Sequence, residues 1–241
     1  MRLNLRFAFT LAEVLITLGI IGVVAAITMP TLITKYQEKA TVTALKKDYS
    51  ILSQAFTNIV ANEGSPDTWD LESAEDFRDL FAKYLKNVKK CDANSGNCQP
   101  EKTYYLHKAA DYFLTYNNTD NHSSLTLNNG TILAFYLHPD KYDKTCSKEV
   151  FGIENGCYLT IHIDTNGLKL PNTWGKDRFQ LTIYKNRIVP VGDTKMSSPH
   201  IFDEDCKTGL GESCAAWVIY NGNMDYLHCD DLSWEGKTSC K

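Results

Sequence analysis

Apolar residues are concentrated in one uninterrupted segment near the start of the chain. The segment runs from Val14 to Ile33 and contains twenty residues without a charge. A helix of this length rises about 30 Å, which matches the hydrocarbon thickness of a bilayer. A secretory signal peptide is the alternative, with Arg2 and Arg6 as its basic end and Val24-Ala25-Ala26 as its cleavage site. Glu13, which interrupts the apolar region early, and an amphipathic continuation favour a membrane-spanning helix.

The pattern of apolar positions changes after Pro30 but stays helical. Pro30 lacks a backbone donor, which predicts a kink or a local loosening near the outer end of the span. Beyond it, apolar residues recur at steps of three and four as far as Gly64-Ser65-Pro66. They are Val42, Leu45, Tyr49, Leu52, Phe56 and Ile59. The sequence therefore predicts one long helix, transmembrane over 9–34 and amphipathic over 35–64, whose second part packs on a globular domain.

Residues 65–241 carry the pattern of an extracytoplasmic α+β domain. Ser73-x-x-Asp76 is typical of a helix N-cap, and this helix is predicted to end in the basic Lys89-Lys90. Strands are predicted at 125–127, 131–137, 158–163, 179–184 and 187–191, with turns at Asn128-Asn129-Gly130 and Lys185-Asn186. The segment after Cys214 fits either a short helix or a buried strand. The expected fold is a long N-terminal helix packed on an antiparallel sheet.

Composition and charge exclude several classes of protein. The 241 residues are 43% hydrophobic and 22% charged, as in an ordinary globular protein. Lys and Arg number 25 against 29 Asp and Glu, so the net charge is −4 and the basic excess of a nucleic-acid-binding protein is missing. No nucleotide-binding glycine fingerprint, nucleophile motif or histidine pair at ligand spacing is present. We therefore expect neither an enzyme nor a nucleic-acid partner.

All eight cysteines follow residue 90 and form four sequence-local couples. We predict the disulfides Cys91–Cys98, Cys146–Cys157, Cys206–Cys214 and Cys229–Cys240, because each couple brackets a short polar loop. Zinc is a weak alternative, since no C-x-x-C spacing occurs. Disulfides indicate an extracytoplasmic domain. By the positive-inside rule, the lysines that follow the span would instead place this domain in the cytoplasm. We give the cysteines more weight and expect the domain outside the cytoplasm.

The residues around the front of the apolar segment form a specific motif. Phe7-Ala8-Phe9-Thr10-Leu11-Ala12-Glu13-Val14-Leu15-Ile16 closely resembles the processing site of type IV pilins and type II secretion pseudopilins. The resemblance implies a leader over 1–8, cleavage after Ala8 by a prepilin peptidase, N-methylation of Phe9 and a role for Glu13 in assembly. The family usually has Gly before the cut, so Ala8 is a departure.

Glu13 admits two roles. Thr10-x-x-Glu13 has capping-box spacing, so Glu13 can stabilise the first turn of its own helix. Alternatively, its carboxylate pairs with the α-ammonium group of Phe9 in a neighbouring subunit, an interaction that a low dielectric strengthens. Both can hold in turn, the first in the membrane and the second in a filament.

The resemblance implies a pilin-like structural subunit of a type IV pilus or a type II secretion pseudopilus. Its expected partners are the prepilin peptidase, the membrane and other pilin-like subunits, which it contacts through the N-terminal helix. It is expected in the inner membrane before assembly, with its C-terminal domain outside the cytoplasm, and in a filament afterwards. The alternative is an exported or single-pass-anchored binding domain of the adhesin type.

One group of oxygen-bearing side chains is a candidate calcium site. Asp164, Asn166 and Asp177 surround Gly167 and Gly175, and the resemblance allows calcium because some pseudopilins bind it. The twelve-residue EF-hand spacing and its closing glutamate are missing. A turn between two strands is the favoured interpretation of these residues, and no cofactor is expected.

Overall fold

The computed structural model describes residues 10–86, 88–91, 98–115, 122–137, 156–196 and 200–240. The predictions for Ala8, Phe9 and Cys146 fall outside these residues, and so does the side chain of Cys157. The chain divides into two compact units, Met1–Ala40 and Thr41–Lys241. The boundary between these units lies inside the long N-terminal helix.

Helix α1 (Leu11–Glu63) is a single helix of 53 residues, as the apolar pattern predicts. Pro30 lies inside it and does not end it. The helix stops at Gly64, whose φ of 89° is the left-handed conformation that terminates helices and that glycine adopts without strain. Among the described residues, α1 alone is long and apolar enough to cross a membrane, judged by length and composition.

The second part of α1 belongs to the C-terminal unit and supplies one side of its core. The periodic stripe is buried, as predicted: Val42, Leu45, Leu52, Phe56 and Ile59 are all within the core, and Tyr49 is half-buried against it. Packing of this stripe, and not intrinsic propensity, therefore fixes the second part of the helix.

Helix α2 (Ala74–Tyr84) is shorter than the sequence predicts. It begins with the expected capping box, in which Ser73 and Asp76 bond each other's backbone N–H groups. It ends at Tyr84, because Leu85 has extended backbone angles. Lys89 and Lys90, which the sequence predicts at the end of this helix, instead begin strand β1 (Lys89–Cys91). Their backbone pairs with the next strand of the sheet while their side chains stay exposed, as is typical of an edge strand.

A six-stranded antiparallel sheet covers the helices. Its strands are β1 (Lys89–Cys91), β4 (His122–Thr126), β5 (Ile132–Leu137), β6 (Gly156–Asp164), β7 (Arg178–Tyr184) and β8 (Arg187–Pro190), hydrogen-bonded in that order. Strands β2 (Lys102–Tyr104) and β3 (Phe113–Thr115) form a separate two-stranded sheet. The two predicted hairpins, β4–β5 and β7–β8, are both confirmed. The fold is α+β, as expected.

The core lies between the helices and one face of the large sheet. Register places Leu125, Leu133, Ile163 and Phe179 side by side across four strands of that face. All four are fully buried. The helices contribute an aromatic cluster to the same core, in which the rings of Phe77 and Phe81 each lie 5.2 Å from Phe135. Aromatic contacts of this kind add to the stabilisation that burial provides.

Three of the predicted disulfides are present: Cys91–Cys98, Cys206–Cys214 and Cys229–Cys240. The segment after Cys214 is a helix, α3 (Ala215–Asn221). Its Trp217 is fully buried and stacks on Phe202 with the ring centroids 4.1 Å apart. The loop-rich C-terminal segment is therefore held by two disulfides together with an aromatic contact in the core.

One buried carboxylate connects α1 to the β4–β5 hairpin. Asp48 is inaccessible to solvent, and it accepts hydrogen bonds from Asn129 Nδ2 at 3.1 Å and Thr131 Oγ1 at 2.7 Å. Burial raises the pKa of Asp48, and these two donors oppose the rise. The turn residues that mark the hairpin in the sequence thus also anchor the helix.

Replacing Asp48 with Ala is expected to destabilise the domain by about 1–3 kcal/mol, because the buried hydroxyl of Thr131 loses its acceptor. Asp48→Asn retains a carbonyl acceptor and removes the buried charge, so a smaller loss is expected. Thermal unfolding of the detergent-solubilised full chain, followed by tryptophan fluorescence, measures both. Equal losses for the two variants would show that the hydrogen bonds from Thr131 and Asn129 are not the source of the stabilisation by Asp48.

Candidate functional site

The start of α1 is organised around Glu13. Oε2 of Glu13 accepts hydrogen bonds from the backbone N–H and from the hydroxyl of Thr10, both at 2.8 Å. The Thr10 hydroxyl in turn accepts the backbone N–H of Glu13 at 3.2 Å. This is the reciprocal capping box that the spacing predicts, and it uses one of the two carboxylate oxygens.

Three of the threonine hydroxyls within or beside the apolar segment bond to the helix itself. Thr17 donates to the Glu13 carbonyl at 2.9 Å, and Thr28 donates to the Val24 carbonyl at the same distance. Thr34 donates to the Pro30 carbonyl at 3.0 Å. Because these donors are satisfied inside the helix, they do not oppose transfer of the segment into lipid.

The apolar segment is exposed around its whole circumference. Its large side chains, together with Leu11 just before it, are between 42% accessible (Val14) and 78% accessible (Leu11). The set comprises Leu11, Val14, Leu15, Ile16, Leu18, Ile20, Ile21, Val23, Val24, Ile27, Met29, Leu32 and Ile33. A surface of this extent is not stable in water and indicates a helix that is covered by lipid or by other helices.

Small residues interrupt this surface on the first half of the helix. A Cβ atom placed on Gly19 or Gly22 would meet no other atom within 4 Å. Glycines on an exposed apolar helix allow a second helix to approach closely, where van der Waals contact replaces the hydrophobic effect. This part of α1 therefore has the composition of a helix–helix contact.

Two of the candidate calcium residues, Asn166 and Asp177, lie in the loop between β6 and β7. Asp177 is buried and accepts the backbone N–H groups of Asn172 at 2.8 Å and Thr173 at 2.6 Å. It also accepts Asn166 Nδ2 at 3.0 Å. These donors give Asp177 the role of ordering the turn. The described residues contain no cluster of three or more His, Cys, Asp or Glu side chains placed to hold a metal ion, and a calcium site here stays a prediction.

The third candidate residue, Asp164, faces a buried arginine instead. Asp164 and Arg178 are directly opposite each other on β6 and β7, with Oδ2 and Nη1 3.8 Å apart. Arg178 donates to Thr103 Oγ1 at 2.9 Å and lies over the ring of Trp174. No local sequence motif marks Arg178 as the partner of Asp164, because this pairing depends on the register between two strands.

The buried position of Asp164 affects its ionisation. Burial raises its pKa to about 7, although the charge of Arg178 acts in the opposite direction. A carboxyl group whose pKa is raised in the folded state stabilises the fold fully below its unfolded pKa, here 3.8. That contribution is lost as the pH rises through about 7.

The melting temperature is therefore expected to fall between about pH 4 and pH 7, the interval between the unfolded pKa of 3.8 and the raised pKa of about 7. Asp164→Asn is expected to make this fall shallower, because the side chain no longer titrates. Thermal unfolding at several pH values measures the slope, which is separate from any uniform loss of stability. Asp230→Asn, at an exposed position, serves as the matched control. Parallel pH profiles for wild type and Asp164→Asn would contradict the assignment.

Comparisons of the chain with protein-family models, curated proteins and solved structures find no match. Its architecture is nevertheless pilin-like, with a long apolar N-terminal helix packed on an antiparallel sheet. The apolar helix indicates a membrane anchor or an export signal, and the disulfides indicate an extracytoplasmic domain.

Proposed function

We propose that this chain is a structural filament subunit, not an enzyme, that assembles through the first part of α1. The filament is a type IV pilus or a type II secretion pseudopilus. The observation that carries the proposal is a single helix that changes character along its length. Its first part is apolar and exposed on all sides, and its second part is buried against the sheet.

The physical argument concerns where the exposed part of the helix resides. An isolated apolar helix of this length is stable in a bilayer, where its backbone bonds and the hydroxyls of Thr17, Thr28 and Thr34 are satisfied internally. It is also stabilised in a bundle of identical helices that cover one another's apolar surfaces. The same segment therefore serves as an anchor before assembly and as the centre of a filament afterwards.

Processing connects these two states. Removal of residues 1–8 by a prepilin peptidase deletes Arg2 and Arg6 and leaves a new α-ammonium group on Phe9. The Glu13 carboxylate lies one helical turn further along. Its negative charge offsets the cost of placing the α-ammonium group in an environment of low dielectric. In this proposal, Phe9 of one subunit pairs with Glu13 of its neighbour and sets the axial register.

The mature chain is expected to begin at Phe9 and to carry a methylated α-amino group. N-terminal sequencing and mass spectrometry of the chain from membranes and from filaments measure both properties. A chain that begins after Ala26 would instead identify an ordinary signal peptide and overturn the proposal. Ala8→Gly is a useful companion, because it restores the usual residue before the cut and should leave the site of cleavage unchanged.

Variants of Thr10 and Glu13 separate the two roles of the carboxylate. Glu13→Gln keeps a side-chain acceptor for Thr10 but removes the charge, whereas Thr10→Ala keeps the charge and removes the capping hydroxyl. If intermolecular charge pairing drives assembly, Glu13→Gln should reduce filament incorporation by at least about tenfold, and Glu13→Ala should do the same. Thr10→Ala should have a much smaller effect.

The readouts are the amount of the chain in the membrane and in isolated filaments. All three variants should remain in the membrane, because the apolar segment is unchanged. Normal filament incorporation by Glu13→Gln, together with failure of Thr10→Ala, would assign Glu13 to local capping alone.

A further inference from the structure

The C-terminal unit carries its exposed charges at separate places. A basic patch lies where α1 enters this unit, and it consists of Lys46, Lys185 and Arg187 with the rings of Tyr49, Tyr184 and Tyr220. All three cations are exposed. An acidic segment covers the other end of the helix, because residues 63–77 contain six Asp and Glu but no Lys or Arg.

Several contacts hold the basic patch together. The Tyr49 hydroxyl donates to the Ile188 carbonyl at 3.2 Å, which connects α1 to the strand that begins with Arg187. The Arg187 guanidinium lies 5.1 Å from the ring centroid of Tyr184, and the Lys185 ammonium lies 5.4 Å from it. The ammonium of Lys46 reaches Gly222 at the end of α3, 2.8 Å from where a Cβ atom would lie.

The patch has the composition of a protein-binding surface. Tyrosine and arginine are enriched in protein interfaces, where their large side chains contribute most of the binding energy. Tyr220 is about half exposed, at 51%, and donates to Asp193 at 2.9 Å. Asp193 is the acidic group within the patch, and this hydrogen bond holds it at the tyrosine. The patch therefore presents three exposed cations around aromatic rings.

The acidic segment extends from the last turn of α1 into the first turn of α2. Glu63, Asp67, Glu72, Glu75 and Asp76 are all exposed. Glu63 also contacts Lys83 at 3.7 Å, and Asp76 caps α2, so these two side chains have local partners. Glu72 and Glu75 are the residues of this segment best placed to meet a second molecule.

Geometry favours a second copy of the chain as the partner. Copies inserted through the same apolar segment leave the membrane in parallel. Lys46 and Glu63 are 17 residues apart on one helix, which corresponds to a rise of about 25 Å. Parallel copies shifted along the helix by that amount bring the basic patch of one level with the acidic segment of another. Such a head-to-tail contact joins two different surfaces and continues into a helical filament instead of closing into a dimer.

We infer that the basic patch binds the acidic segment of an adjacent copy, and that this contact between globular units adds to the helix bundle in fixing the subunit offset. The inference rests on the proposed filament function. Opposite charges in such a contact select the correct register, because like charges placed together are costly.

Charge reversal on each side, alone and combined, tests the contact in cells that assemble the wild-type chain. Lys185→Glu with Arg187→Glu should lower the amount of chain in isolated filaments by about tenfold, because it places like charges together. Glu72→Lys with Glu75→Lys should have a similar effect. The chain with all four substitutions should recover most of the wild-type amount, since the pairing is restored with its sign inverted.

Lys108→Glu with Lys176→Glu makes the same change in net charge at exposed positions outside the patch, and it should assemble normally. Disulfide formation and membrane level, compared on non-reducing gels, identify any variant that fails to fold. The fourfold variant provides a second check, because recovery requires a folded chain.

Normal assembly of both reversed variants would overturn the inference while leaving the filament function intact. Loss without recovery in the fourfold variant would also overturn it, and it would point to another partner, such as an anionic membrane surface. Failure of the proposed function itself is a different outcome, because the wild-type chain would then be absent from filaments or would not begin at Phe9.

Discussion

Burial of the second part of α1 against the sheet is the interaction on which the rest of the structure depends. The side chains of Leu45, Leu52, Phe56 and Ile59 are almost completely removed from water there, and each such burial contributes on the order of 1.5–3 kcal/mol. Helix α1 continues without a break from this stabilised part into the apolar part. Residues 11–33 need no packing against the sheet to stay helical. In lipid or in a helix bundle, a backbone N–H or C=O group without a hydrogen bond costs more free energy than it does in water, and the helix satisfies these groups.

The buried aspartates of the domain have raised pKa values and lie beside hydrogen-bond donors or a cation. Asp48, Asp177 and Asp164 are all buried, and burial raises the pKa of each. Each is nevertheless placed beside donors or a cation: a hydroxyl and an amide at Asp48, backbone N–H groups at Asp177, and Arg178 at Asp164. Removing one member of such a group leaves the other buried without a hydrogen-bond or charge partner, which costs free energy. These contacts therefore favour the particular turns and strand register that bring the partners together.

Much of this fold could be predicted from local patterns, and the errors have a common cause. The steps of three and four in α1, the Asn-Gly turn of the β4–β5 hairpin and three of the sequence-local cysteine couples all describe neighbours along the chain, and the described residues contain them. Lys89-Lys90 suits both a helix end and an exposed edge strand, and only pairing with β4 decides between the two. The contact between Asp164 and Arg178 likewise depends on register between β6 and β7. At the candidate site, spacing predicts the Thr10–Glu13 cap, whereas an intermolecular partner lies beyond any pattern in a single chain.

The geometry of Glu13 shows why its two roles need not compete. Both hydrogen bonds from Thr10 end on Oε2, so the capping box is complete with one carboxylate oxygen. A carboxylate has about four acceptor positions, and those on Oε1 accept neither of the bonds that hold the cap. An α-ammonium group from a neighbouring chain can therefore pair with Glu13 without breaking the first turn of α1. The cap holds the carboxylate in one orientation beforehand, which lowers the entropic cost of forming the pair. Under the proposed function, local stabilisation and assembly are successive uses of one preorganised group.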